Sequence, residues 1–142
     1  MNRKEALKFC ALIELEYPNT YRDLDDQMRE AVVKNWHTTF CTVNYVVMQM
    51  AFDAFRKRSK FPPKTADMID ELRSIHSWAF NHAHFWDTDE DLQRRCRFLM
   101  EQTERFSKCH QEDCISQELM RSIPDELLEA KVQPQLAEGQ GA

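Results

Sequence analysis

Apolar residues recur at helical spacing through most of the chain, in five stretches separated by polar or proline-containing breaks. From about Arg3 to Tyr17, the residues Ala6, Phe9, Cys10, Ile13 and Tyr17 share one face. Asn2 with Glu5 has the form of a capping box, and Pro18–Asn19 ends the helix. A second helix begins near Asp23–Asp26, where three acids suit the positive end of the helix dipole, and buries Met28, Val32, Val33, Trp36 and Phe40. A third, from about Val43 to Ser59, carries Tyr45, Met48, Phe52 and Phe55 on its inner face. The sequence KFPPK then forces a break, because the residue before a proline is driven out of the α region.

Thr65 is placed to cap a fourth helix with Met68, Ile69, Leu72, Ile75 and Ala79 on one side. The aromatic, histidine-rich segment 78–87 ends it. Thr88 and Asp91 suggest a further capping box, opening a fifth helix whose inner face is Leu92, Cys96, Leu99, Thr103 and Phe106. Beyond Cys109 the periodicity fades. Ile115, Leu119 and Ile123 fit a short amphipathic helix, Ser122 with Asp125 fits another turn, and residues 132–142 hold too few apolar side chains to order themselves.

This pattern predicts an all-α protein: a bundle of about five helices over residues 1–111, then a flexible acidic tail over 112–142. Trp36, Phe40, Phe52, Phe55 and Phe61 are expected in the bundle core, with Phe61 packed beneath the proline corner. Glycine usage agrees with an all-α fold. The only two glycines, Gly139 and Gly141, lie at the end of the chain, so tight hairpins and a rich β architecture are disfavoured in the rest and glycine-rich phosphate loops are excluded from it.

Charge sharpens the division. The formal net charge is −5, and residues 1–111 balance 17 acids against 17 bases, so the whole excess lies in residues 112–142. An acidic tail repels nucleic acid and suits a protein partner. Five of the nine residues from Arg56 to Lys64 are basic, and there Lys57, Arg58, Lys60 and Lys64 are candidates for phosphate contact. Their position at a helix C-terminus already explains most of them, since cations there complement the dipole. Direct nucleic-acid binding is therefore not expected.

Catalytic and metal chemistry find little support. HEXXH, GxSxG and paired CxxC motifs are absent, and His82 and His84, two apart, point to different helix faces. The five scattered cysteines, with no apolar run of membrane length and no signal-peptide core, fit a reduced, cytoplasmic, non-enzymatic chain. No catalytic residue, metal or cofactor is expected. Phe85 and Trp86, between two helices, are candidates for an apolar partner patch.

The order of four features is more specific than any one of them: Tyr17–Pro18 ending the first helix, Trp36 with Phe40 in the second, the aromatic run from Tyr45 to Phe55, and Phe61–Pro62–Pro63 opening the fourth. In this order the chain resembles the helicase loader/inhibitor family of bacteriophages and prophages of Gram-positive bacteria, over about residues 5–72. The resemblance implies a helical N-terminal domain followed by a flexible part that engages a hexameric, DnaB-type replicative helicase. It also implies that the protein restrains this helicase and delivers it to an origin-binding initiator. The tail then supplies the partner contacts, through Ile115, Leu119, Ile123, Leu127 and Leu128 on an induced amphipathic helix. The extra helical length of residues 76–111 departs from the shorter family pattern. Two other readings stay open: a small helical DNA-binding regulator, and a phage accessory protein that blocks a host protein through Phe85 and Trp86.

Overall fold

The computed structural model describes residues 1–86, 89–107 and 121–127, and among these every regular element is helical. The elements are α1 (Arg3–Glu16), α2 (Asp26–Phe40), α3 (Tyr45–Arg56), α4 (Thr65–Asn81), a π-helical turn (His82–Trp86) and α5 (Glu90–Ser107). The chain divides into two compact units, Met1–Lys108 and Cys109–Ala142. The all-α expectation holds.

Helix starts follow local hydrogen-bond chemistry. The Asn2–Glu5 capping box is formed in both directions: Glu5 N–H donates to Asn2 Oδ1 (2.8 Å) and Asn2 N–H to Glu5 Oε1 (2.9 Å). Asp25 and Asn44 cap α2 and α3 by accepting from Met28 N–H and Val46 N–H. The start of α4 differs from expectation, for Thr65 is its first helical residue, not its cap. Lys64 holds the capping position, and a lysine side chain has no acceptor. Asp67 therefore reaches back to take Lys64 N–H at 2.8 Å. Asp89 opens α5, its side chain accepting from Asp91 N–H (2.9 Å), while Thr88 lies outside the described residues. Where α1 ends, Asn19 adopts a left-handed backbone (φ 74°), a place usually taken by glycine.

The core is a run of aromatic rings. Tyr17 meets Phe52 edge-on, Phe52 meets Phe9, Phe9 meets Trp36, Trp36 stacks on Phe40, and Phe40 meets Phe106, with successive centroids 5.2–6.4 Å apart. These contacts join α1, α2, α3 and α5. Val43, Val47, Met48, Met68 and Leu72 fill the spaces around the rings and are fully buried. Each such side chain contributes about 1.5–3 kcal/mol by leaving water.

Farther along α4, Ala79, Cys96 and Thr103 are buried where α4 packs on α5. Two polar links fix that seam. Arg73 Nε donates to the carbonyl of Phe106 at 2.9 Å, occupying an end of α5 that has no helical donor. Thr103 gives its hydroxyl proton to Leu99 O (2.7 Å), so its oxygen receives the Nδ1–H of His76 (3.1 Å). The hydroxyl has one proton, so with that proton given to Leu99 O the His76 Nδ1 is the donor.

Two residues assigned to the interior are at the surface. Met28 is 52% exposed, because repeated steps of four overrun the helical period by about 40° each and rotate it off the face defined by Trp36 and Phe40. Phe61 is 78% exposed. The buried place at the corner goes to Pro63, and Phe61 lies in the bend that precedes Pro62 with its ring in solvent. Trp36, Phe40, Phe52 and Phe55 are all buried.

Candidate partner-binding surfaces

The basic cluster occupies the corner between α3 and α4. α3 ends at Arg56, and the amides of Arg58 and Ser59 both donate to Phe55 O at 3.1 Å. Two of the five cations are committed within the fold. Arg56 pairs with Glu16 (3.3 Å) and Asp53 (3.1 Å), and Arg58 pairs with Glu71. Glu71 is the consequential partner. Its side chain is 3% exposed and its Oε1 takes no hydrogen bond of good geometry, so the Arg58 guanidinium is what offsets the burial of its charge. Of the residues nominated for phosphate contact, Lys57, Lys60 and Lys64 remain exposed, while Arg58 is turned to a buried carboxylate.

The backbone of this corner is held as well. Tyr17 donates its hydroxyl to Ser59 O (2.9 Å), across 42 residues of sequence. Ser59 Oγ donates to Phe61 O (3.0 Å) and accepts from Phe61 N–H (3.2 Å). Burial holds the Tyr17 phenol above its ordinary pKa, with Glu16 adding to the effect, so it keeps its donor proton at neutral pH.

The second surface lies at the far end of α4. Trp78 and Phe80 are 48% and 41% exposed, and each stacks with the histidine four residues on. The ring centroids are 3.8 Å apart for Trp78–His82 and 4.3 Å for Phe80–His84. Each histidine Nδ1 also meets the carbonyl of the same aromatic residue, at 2.8 and 2.9 Å. Phe85 and Trp86 complete the π-helical turn, and their side chains lie outside the described residues. Trp78 and Phe80, assigned no role by the periodicity, therefore form the described part of this aromatic surface.

Of the five tail residues nominated for partner contact, Ile115, Leu119 and Leu128 lie outside the described residues. Ile123 and Leu127 are exposed, at 39% and 55%. Residues 121–122 and 125–127 are helical, and the helix is interrupted at Ile123–Pro124 between them. The amide of Leu127 donates to Pro124 O at 3.0 Å.

Nucleophile and metal chemistry is sparse in the described residues. Burial, reinforced by Glu14, pushes the Cys10 thiol up to about 11, which leaves it protonated and unreactive at neutral pH. No group of three or more histidine, cysteine, aspartate or glutamate side chains is arranged to hold a metal among the described residues. No described helix is long and apolar enough to cross a membrane. A surface recess at Met1, Glu5, His37, Cys41 and Gln102 has its main polar groups occupied: the Met1 ammonium donates to Phe40 O (3.0 Å) and Cys41 O (3.2 Å), and Gln102 Oε1 accepts from Asn44 N–H (2.7 Å).

Sequence reasoning missed Glu71 although its signal is present. An acid three residues after Met68 and four before Ile75 sits within an apolar stripe, and such an acid needs a cation.

Among known protein families, residues 1–69 match the N-terminal domain of the phage SPP1 helicase loader/inhibitor family. The match contains α1 to α3, the proline corner and the first turn of α4. No curated protein and no solved structure matches the chain.

Proposed function

We propose that the protein is a non-enzymatic DNA-replication adaptor that binds a DnaB-type hexameric replicative helicase, restrains it, and delivers it to an origin-binding initiator. The observation that carries this reading is the match of residues 1–69 to the N-terminal domain of a phage helicase loader/inhibitor family. In this proposal residues 1–111 are the folded scaffold and residues 112–142 are the helicase-binding tail. Ile115, Leu119, Ile123, Leu127 and Leu128 supply the apolar contacts, and the excess acid sets electrostatic complementarity. The adaptor restrains the helicase by having higher affinity for one helicase state than for another.

The DNA-regulator alternative loses ground at the corner. Arginine grips phosphate in a bidentate fork, and both arginines of the cluster are engaged with carboxylates of the fold.

The test is to titrate the purified full-length protein against the hexameric replicative helicase of its own host, with and without residues 112–142. Binding by the full chain is expected. Loss of binding in the truncated form, with its helical circular dichroism and melting transition retained, would support the assignment of the tail. Equal binding by both forms would remove the tail from the interface, and absence of binding by the full chain would overturn the helicase reading itself.

A further inference from the structure

The α3–α4 corner displays an aromatic side chain on a backbone that is fixed from several directions. Single exposed apolar residues are ordinary on protein surfaces, and Leu7, Leu15 and Val46 are examples on the helices of this protein. Phe61 is the most exposed aromatic side chain among the described residues. Its carbonyl and amide are both bound by Ser59 Oγ, the Ser59 carbonyl is held by Tyr17, and Pro62 and Pro63 fix the two following φ angles. Pro63 is buried, and the preceding turn is tied to α4 through Arg58 and Glu71. The backbone is ordered in advance, yet the ring is left 78% exposed.

Charge gives the corner its second property. No acidic residue occurs between Asp53 and Asp67; Arg56 and Arg58, still 42% and 61% exposed, are paired with carboxylates of the fold, and Lys57, Lys60 and Lys64 are exposed cations of the same stretch. All three are exposed and lie within four residues of Phe61. Residues 1–111 as a whole carry no net charge, so this is a local positive patch and not part of a basic surface. A fixed aromatic knob flanked by lysines complements an apolar pocket whose rim carries carboxylates. Single-stranded nucleic acid is the poorer fit, because one ring offers no continuous stacking platform and the phosphate-gripping arginines are occupied.

We infer that Phe61 is a docking knob for a protein partner, received by an apolar pocket rimmed with aspartate and glutamate, with Lys57, Lys60 and Lys64 setting its orientation. The site is separate from the tail contacts of the proposed helicase adaptor, which begin at Ile115. Because the knob is held in its bound geometry beforehand, little ordering entropy is lost when it docks.

The test uses the full-length protein with photoreactive p-benzoylphenylalanine at position 61, and at the exposed Leu15 position as control, irradiated in its host cell. The expected result is a protein adduct specific to position 61, mapping to an apolar segment with neighbouring Asp or Glu. The cross-linked protein, once purified, is then titrated with wild type, Phe61→Ala and the triple variant Lys57→Glu, Lys60→Glu, Lys64→Glu. Phe61→Ala should weaken binding by about tenfold or more, the scale of a buried interface anchor, with an unchanged melting temperature because the ring touches little of its own fold. The triple variant should weaken it further at low salt than at high salt.

Three outcomes would overturn the inference: no adduct specific to position 61, an adduct whose purified partner binds wild type and Phe61→Ala equally, or an oligo(dT) single strand whose binding is lost with Phe61→Ala. The knob is tested by variants at positions 57, 60, 61 and 64 of the full-length chain and the tail by removal of residues 112–142, so failure of the tail assignment and failure of the knob are read in different experiments.

Discussion

The two ends of α4 are joined to their neighbours by opposite means. At the N-terminal end, two prolines and a set of long-range links fix the turn: Tyr17 to Ser59 and Arg58 to Glu71 bind the corner to α1 and to α4. At the C-terminal end there is no proline or glycine, and the helix widens into a π turn. The bonds described there are local, each histidine returning to the aromatic residue one turn earlier. A connection tied into distant elements opens only when those elements loosen, whereas one tied chiefly to itself can open alone. The corner is thus tied into α1 and α4, and the bonds described at the π turn run back along its own helix.

Four predictions test that contrast. The largest effect is expected from Arg58→Ala, which leaves the Glu71 carboxylate buried without its cation. The guanidinium is itself partly exposed, so the loss should be about 1–3 kcal/mol in urea denaturation, below the range for fully buried pairs. A midpoint identical to wild type would show that the corner is not held by this pair.

Alkali should act next. Burial raises the Tyr17 phenol and pushes Tyr21 up to about 12. Each group then keeps its proton in the folded state where the unfolded chain, near its ordinary value of about 10, has lost it. Their stabilisation is complete below pH ~10 and falls as pH rises through the folded values. Ultraviolet titration of the phenolates beside a stability profile between pH ~9 and ~12 measures both.

Tyr17→Phe removes one donor from Ser59 O and should cost about 1 kcal/mol, with faster amide exchange concentrated at residues 58–61. The smallest change belongs to the other end. His82→Ala should alter global stability by no more than about 0.5 kcal/mol, because the ring is partly exposed and its partners are local. Amide exchange should rise across residues 78–86 alone, and acceleration at the corner would show that the two ends are coupled.

Much of the scaffold was legible in the chain because helical periodicity and capping chemistry agree. Asn2 and Glu5, Tyr17–Pro18–Asn19 and Phe61–Pro62–Pro63 each mark a boundary by a mechanism visible in the residues themselves. The interior was legible where several apolar residues converge on one face, as with Trp36, Phe40, Phe52 and Phe55. It was not legible at Phe61, where two neighbours compete for one buried place and tertiary fit awards it to Pro63. The π turn escaped notice because nothing between Thr65 and Trp86 breaks a helix, so its widening has no local marker. Glu71 was overlooked because its partner stands 13 positions earlier, beyond the reach of any one-turn pattern. The charge of the tail is plain in the sequence, but Ile115, Leu119 and Leu128 lie outside the described residues.

The corner has a consequence for proteolysis. Five of the nine residues from Arg56 to Lys64 are lysine or arginine, which makes this stretch a dense set of trypsin targets on paper. Trypsin must wait for the Tyr17–Ser59 and Arg58–Glu71 links to part before the backbone can enter its cleft. When opening and closing are fast compared with cleavage, the rate of nicking reports the population of open corner. Limited digestion thus becomes a clock for the α3–α4 joint, and any partner seated on Phe61 should slow it.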